Sequence, residues 1–151
     1  MRHMRCFLAL SLSLVLGASM VAAKDKTDPR FTIFVVAGGT RGTGFTDPDI
    51  ARQDSAKDII SKMFSSSVWR PVEFENQAAV TIEVINREAH DDERIVHVRL
   101  IAGDFDMEMQ VVGDESWSDA AGKLAKRLDS WGRENAQRLQ ELQSKAAPIR
   151  K

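Results

Sequence analysis

Residues Ala79 to Val111 read AVTIEVINREAHDDERIVHVRLIAGDFDMEMQV, and this stretch decides the fold. Phe105, Met107, Met109 and Val111 alternate strictly with Asp104, Asp106, Glu108 and Gln110. Successive side chains of a strand point to opposite faces, so a period of two marks a strand with one dry and one wet face. Just upstream, Val96, Val98 and Leu100 share one face, and Ile95, His97, Arg99 and Ile101 share the other. Before those, Val80, Ile82 and Val84 alternate with Thr81, Glu83 and Ile85. The breaks between the runs, His90-Asp91-Asp92 and Ala102-Gly103-Asp104, are short. Short breaks can join only antiparallel neighbours, so the three segments form a meander.

On the N-terminal side, Val68 to Phe74 (VWRPVEF) reads as a short strand. Pro71 cannot donate to a ladder, which places this strand at a sheet edge. Phe31 to Ala37 (FTIFVVA) is continuously apolar and predicts a strand buried on both faces. Between them, Asp47-Pro48 offers an N-cap and a first helical residue. Ala56, Ile59, Ile60 and Met63 then recur at helical spacing, so Gln53 to Phe64 is an amphipathic helix ended by Ser65 to Ser67. On the C-terminal side, Gly113-Asp114 stops the last strand, and Asp114 or Ser116 can cap a long helix. Trp117, Ala121, Leu124, Leu128 and Trp131 make its apolar stripe. Asn135 and Arg138 interrupt that stripe, so the helix is expected to project past the domain edge to about Gln143, with Pro148 stopping it.

The order β-α-β-β-β-β-α predicts an α+β fold: a five-stranded mixed sheet with two helices on one face and a wetter second face. The expected domain is 31–134, preceded by a linker at 24–30 and followed by a projecting helix end and tail at 135–151.

Residues 1–23 read differently. Arg2 and Arg5 precede an apolar run from Cys6 to Leu16, and small residues follow up to Val21 and Ala23. These are the parts of a secretory signal peptide, a signal helix removed by cleavage after Ala23. The apolar run is broken by Ser11 and Ser13 and is shorter than a membrane span, so no stable span is expected after cleavage. The 151-residue chain carries 21 Lys+Arg, 22 Asp+Glu, three His, one Cys and no Tyr, for a net charge of −1. Without its leader it loses two cations and Cys6, and the balance becomes −3. A cysteine-free chain has no disulfide, so its stability rests on its core. A mildly acidic one is not a general nucleic-acid binder, which needs a basic surface to neutralise phosphates. Together these features predict an exported, periplasmic protein.

Candidate chemistry is sparse. The loop Gly38-Gly39-Thr40-Arg41-Gly42-Thr43-Gly44 joins strand to helix, where backbone N–H groups can cradle an anion. Gly39, Arg41, Gly42 and Gly44 are its candidate binding residues. No Lys-Ser/Thr pair completes a Walker loop, and Phe45 to Pro48 separate the glycines from the helix, against a dinucleotide fingerprint. His90 and His97 are the only histidines after the leader, too few for a zinc site without added ligands. Asp104, Asp106 and Glu108 on one face of a strand have the residue types of an acid and base but read as a solvated sheet face. Met107 and Met109 have soft sulfurs suited to copper but fall on the inward face as core fillers. Neither GxSxG nor SxxK is present. Lys123, Lys126, Arg127, Arg133 and Arg138 are interleaved with Asp129, Glu134 and Glu141, as on a solvated helix face. No metal or cofactor is predicted.

The segments GFTDP (44–48), QDSAKDI (53–59), AAVTIEVINRE (78–88), RIVHVRLIAGDF (94–105) and WSDAAGKLAKRLDSW (117–131) resemble small exported bacterial proteins that have no stated activity. The strand-helix-strand-strand order is also similar to envelope modules such as the TolB N-terminal domain and CsgG-like or transport-auxiliary lipoproteins. That resemblance implies binding to other envelope components and no enzymatic activity, and it transfers no site residues. The expected function is a non-catalytic periplasmic accessory domain with an envelope protein partner, docking through the sheet edge at Trp69-Arg70-Pro71 or through the end of the last helix. Alternatives are an anion or small-molecule binder using loop 38–44, or a hydrolase joining His90 or His97 to a serine or carboxylate. Oligomeric state is left open.

Overall fold

The computed structural model describes residues 28–39 and 47–149. The signal helix, most of linker 24–30 and loop residues 40–46 therefore lie outside the described residues. The elements are β1 (Phe31–Ala37), α1 (Asp47–Phe64), β2 (Trp69–Pro71), a 3-10 turn at Glu75–Gln77, β3 (Val80–His90), β4 (Glu93–Ala102), β5 (Phe105–Asp114), α2 (Trp117–Glu134) and α3 (Ala136–Lys145). The sheet order is β2-β1-β3-β4-β5; β1 runs parallel to β2 and β3, and β3-β4-β5 is the antiparallel meander. The expected five-stranded mixed sheet and α+β class are what the chain forms.

The core lies between one sheet face and the helices. Ile33, Ile82, Val84, Val98 and Leu100 from the sheet meet Ile59 and Met63 of α1 and Leu124 and Leu128 of α2, all nearly inaccessible. These are the period-two and period-four positions of the sequence, so burial follows the pattern directly. Arg87 closes one end of this layer. Its guanidinium lies 4.2 Å from the Trp117 ring centre, and Nη1 donates to Ser55 Oγ at 3.4 Å. The opposite end holds an aromatic cluster: Trp69 stacks on Trp131 with 6.3 Å between centroids, flanked by Phe31 and, beyond Trp131, Phe105.

The helix expected to project instead folds back. The last turn of α2 closes at Asn135, whose side-chain N donates to Trp131 O at 2.9 Å, and α3 starts in a new direction. Leu139 is then fully buried, and Leu142 covers the β4–β5 turn at Gly103. Gln143 Oε1 accepts from Thr32 N at 2.8 Å and from Thr32 Oγ1 at 2.7 Å. The domain therefore continues to the end of α3. The stripe ends at Asn135 because the helix changes direction there, and Leu139 and Leu142 resume it on the new axis.

The second sheet face is covered only at its β2 end. There the connection 72–79 crosses β1, Ala79 N bonds Thr32 O and Oγ1, and Ala147 N donates to Asn76 O. Among the described residues no helix lies on this face across β3, β4 and β5.

Candidate functional site

The side chains of the free face stand in rows set by register. Glu83 on β3 lies opposite Arg99 on β4, and Arg99 opposite Glu108 on β5. One row along, Thr81, Ile101 and Asp106 are in line. A bulge between Val84 and Asn86 shifts the pairing. It leaves Ile85 with 37% of its surface exposed and sets Asn86 opposite His97 and Gln110. Arg99 organises the centre: Nε donates to Asp106 Oδ1 at 2.7 Å, and Nη1 is 4.0 Å from Glu83. The bond from Arg99 holds the Asp106 carboxyl below its ordinary pKa, and Asp106 in turn raises that of Arg99.

The two histidines come together around one carboxylate. His97 Nε2 is 3.5 Å from Glu88 Oε1, His90 Nε2 is 3.2 Å from Glu88 Oε2, and Asn86 Nδ2 donates to the same glutamate at 3.0 Å. The shallow hollow beside His97 is lined by Ile85, Asn86, Glu88, Val98, Glu108, Met109 and Gln110. None of these carries a hydroxyl or thiol; the hollow sets the His97 imidazole beside the carboxylates of Glu88 and Glu108. Among the described residues no three His, Cys, Asp or Glu side chains are grouped to hold a metal ion.

The sheet has two edges, and they differ. At β2, Trp69 N donates to Ser66 Oγ at 3.1 Å, and Trp69 O accepts from Arg30 Nη1 at 3.4 Å. Both outward backbone groups of Trp69 are thus closed locally, and Pro71 in this three-residue strand has no N–H to offer. At β5 the even-numbered residues face away from β4. Gln110 O accepts from Arg127 Nη1 at 3.0 Å, and Asp114 N donates to Asp119 Oδ2 at 2.7 Å, both groups on α2. Odd positions turn inward, as the bond from Glu115 N to Asp92 O shows. By the alternation of an antiparallel ladder, the N–H and C=O of Asp106 and Glu108 point outward too. They have no backbone partner among the described residues. The α2 side chains close the upper half of the β5 edge and leave Phe105–Met109 open.

The sequence candidates are dispersed. Gly39 is described, with φ +78 and the Arg52 guanidinium against it, while Arg52 donates to Asp49. Arg41, Gly42 and Gly44 lie outside the described residues. Trp69 is completely buried in the aromatic cluster, so it supports the edge from within and offers no surface. Arg70 is half-buried beside the 72–77 connection. The expected docking edge is therefore the closed one, and β5, read only as a half-buried strand, supplies the open one. The signal for β5 was its position as the last strand of a meander, with a helix and no further strand behind it.

Charge pairs at three corners of the domain predict its acid response. Asp28, bonded by Arg30 Nε at 2.9 Å, is held down at about 2. Asp106 is lowered by Arg99, and Asp119 by the backbone N–H of Asp114 and then by Lys123. Each depressed carboxyl adds stability that is complete above the unfolded value of about 3.9 and is lost as pH falls through the folded value. The urea midpoint is expected to hold from pH 7 to 5 and to fall below pH 4, with the Asp28 share lost last, towards pH 2. In Asp28→Asn that last part should vanish; a midpoint flat from pH 5 to 2.5 would refute the assignment.

No family model and no curated protein matches the chain. Among solved structures it is similar to a ribosomal subunit interface protein from Coxiella burnetii (8% identity, 71% of this chain and 99% of that one, TM-score 0.38). It is also similar to the N-terminal domain of Thermus thermophilus Protein Y (10% identity, 70% and 96%, TM-score 0.37). A third is a PelC dodecamer from Paraburkholderia phytofirmans (15% identity, 67% and 86%, TM-score 0.38). Among the described residues no helix is long and apolar enough to cross a membrane. Neither of the first two neighbours is named for the cell envelope, and the expected exported periplasmic location, envelope accessory role, envelope protein partner and exclusion of nucleic acid are withdrawn.

Proposed function

We propose that the protein is a non-catalytic binding domain that takes an extended segment of a partner on the free edge of β5. The observation that carries this reading is the asymmetry of the two sheet edges. The β2 edge is closed by Ser66 and Arg30, whereas the outward groups of Asp106 and Glu108, on a regular ten-residue strand, have no backbone partner among the described residues. An exposed row of N–H and C=O groups is a template for another strand, and proteins that do not use such an edge blunt it. Here α2 blunts only the half beyond Gln110. Main-chain bonds then supply affinity, and side chains of the free face, Asp106 and Glu108 nearest, read the partner.

Site-directed photocrosslinking tests the reading. A photoreactive residue at Asp106 should give an adduct whose mapped partner peptide, made synthetically, slows amide hydrogen exchange at Asp106 and Glu108. A probe at Lys57, on the exposed side of α1, should not. Equal adducts from both positions, or a peptide that protects neither amide, would refute it.

A further inference from the structure

The row Glu83–Arg99–Glu108 runs across β3, β4 and β5 with charges minus, plus, minus, and it stops at the open edge. The next strand would place a side chain directly opposite Glu108, about 5 Å away. We propose that this place is filled by lysine or arginine: the partner of the β5 edge is an extended segment with cations on alternate residues. The inference rests on the edge-binding reading above and adds the chemistry of the partner.

Local charge supports it. Around the open half of the edge stand four carboxylates, Glu83, Asp104, Asp106 and Glu108. Arg99 bonds Asp106 and lies near Glu83, Arg138 bonds Asp104, and Arg52, in the hollow with Glu83, is taken by Asp49. Glu108 is exposed and accepts no hydrogen bond among the described residues. Opposite charges directly across a strand pair stabilise it, and like charges destabilise it. The same rule argues against a second copy of this chain. An antiparallel β5–β5 pair centred on Asp106 or Glu108 sets a carboxylate against its own copy. An acidic segment meets the same repulsion. A segment bearing alternate cations completes the Glu83–Arg99–Glu108 row, while its backbone bonds the outward groups of Asp106 and Glu108.

Two synthetic peptides of about eight residues, a common strand length, test the proposal on the full chain: one alternates lysine with threonine, the other glutamate with threonine. The lysine peptide should bind at least tenfold more tightly at low salt. It should shift backbone resonances in 105–110 and slow amide exchange at Asp106 and Glu108. Two variants separate charge from backbone. Glu108→Pro removes an outward N–H that no β4 bond uses, so the ladder stays intact and binding should fall at least tenfold. Glu108→Lys keeps that N–H and should reverse the preference towards the glutamate peptide. If both peptides bind equally and Glu108→Pro abolishes both, the charge rule is overturned while the edge reading survives. Failure of both peptides to protect Asp106 and Glu108 overturns the two together. If Glu108→Pro loses its circular dichroism signal, Glu108→Lys alone decides. Concentration-dependent dimerisation abolished by Glu108→Pro overturns the proposal in favour of self-pairing.

Discussion

Replacing Trp69 by alanine is expected to cost about 3–5 kcal/mol of folding stability, the range for truncating a large buried aromatic. Trp69 is fully buried and central to its cluster. Trp131 lies nearly parallel to it at 14°, Phe31 is tilted at 56° with centroids 6.2 Å apart, and Gly132 leaves it room by lacking a Cβ. Truncation opens a cavity bounded by β1, β2 and the end of α2, elements whose backbones are fixed by the sheet and cannot collapse into it. A domain of this size has a total stability of about 5–15 kcal/mol, so the loss is a large fraction of the whole. One term runs the other way. The Trp69 indole N–H is buried without an acceptor among the described residues, an arrangement that costs about 1–3 kcal/mol. Trp69→Phe keeps most of the ring packing and removes that orphan donor, so it should cost less than half as much as Trp69→Ala. Urea midpoints at unchanged m-value would read both. A Trp69→Ala loss below about 1 kcal/mol would show that the cluster packs without its centre.

Much of this architecture can be read from residue types and spacing, and the exceptions have physical causes. The meander is legible because Val96, Val98 and Leu100 and then Met107, Met109 and Val111 keep a period of two over long runs. α1 begins at Asp47, ahead of the first residues of its apolar stripe, because a helix needs no apolar residue in its first turn. The bulge at Ile85 is invisible to periodicity. Alternation through Ile85 looks continuous, and only the pairing of Asn86 with His97 shows that Ile85 is the extra residue. β2 is shorter than its apolar pattern because the chain leaves the strand after Val72, whose N–H makes the last bond to Ile33 O. Arg138 reads as the residue that spoils an amphipathic stripe, yet it bonds Asp104 and lies 5.4 Å from the Phe105 ring centre. The candidate site was partly legible. Pro71 correctly marks an edge strand, but whether an edge is open depends on side chains far away in sequence. Ser66 and Arg30 close one edge; Arg127 and Asp119 close half of the other. Such contacts leave no local pattern.

The second large effect is expected at Gly113. An added Cβ there would stand 2.4 Å from Ala120 N, 2.7 Å from Ser116 O and 2.8 Å from Ala120 Cα. All three neighbours are backbone atoms, so no rotamer change relieves the contact. The residue lies near the end of β5, where the first turn of α2 lies directly on the strand. That turn is fixed by Ser116, whose side chain accepts from Asp119 N at 3.1 Å, and by Asp119, which bonds Asp114 N. Gly113→Ala must therefore push the start of α2 off β5 and strain both bonds. The expected cost is about 3 kcal/mol, at the upper end for overpacking. Gly103 offers a graded comparison. Its φ is +66 and the nearest atom to an added Cβ is the flexible end of Leu142, so alanine there should cost about 1–2 kcal/mol, chiefly for the left-handed backbone. Gly122 is the opposite case: an added Cβ meets nothing within 4 Å, and alanine inside α2 should stabilise by about 0.5–1 kcal/mol. The three substitutions make the same chemical change, so urea midpoints ordered Gly122→Ala above wild type, then Gly103→Ala, then Gly113→Ala would isolate the contact as the cause. Faster amide exchange in the first turn of α2, confined to Gly113→Ala, would locate it. If Gly113→Ala is as stable as Gly103→Ala, α2 is free to slide along β5, and Arg127 and Asp119 cannot be holding half of that edge closed.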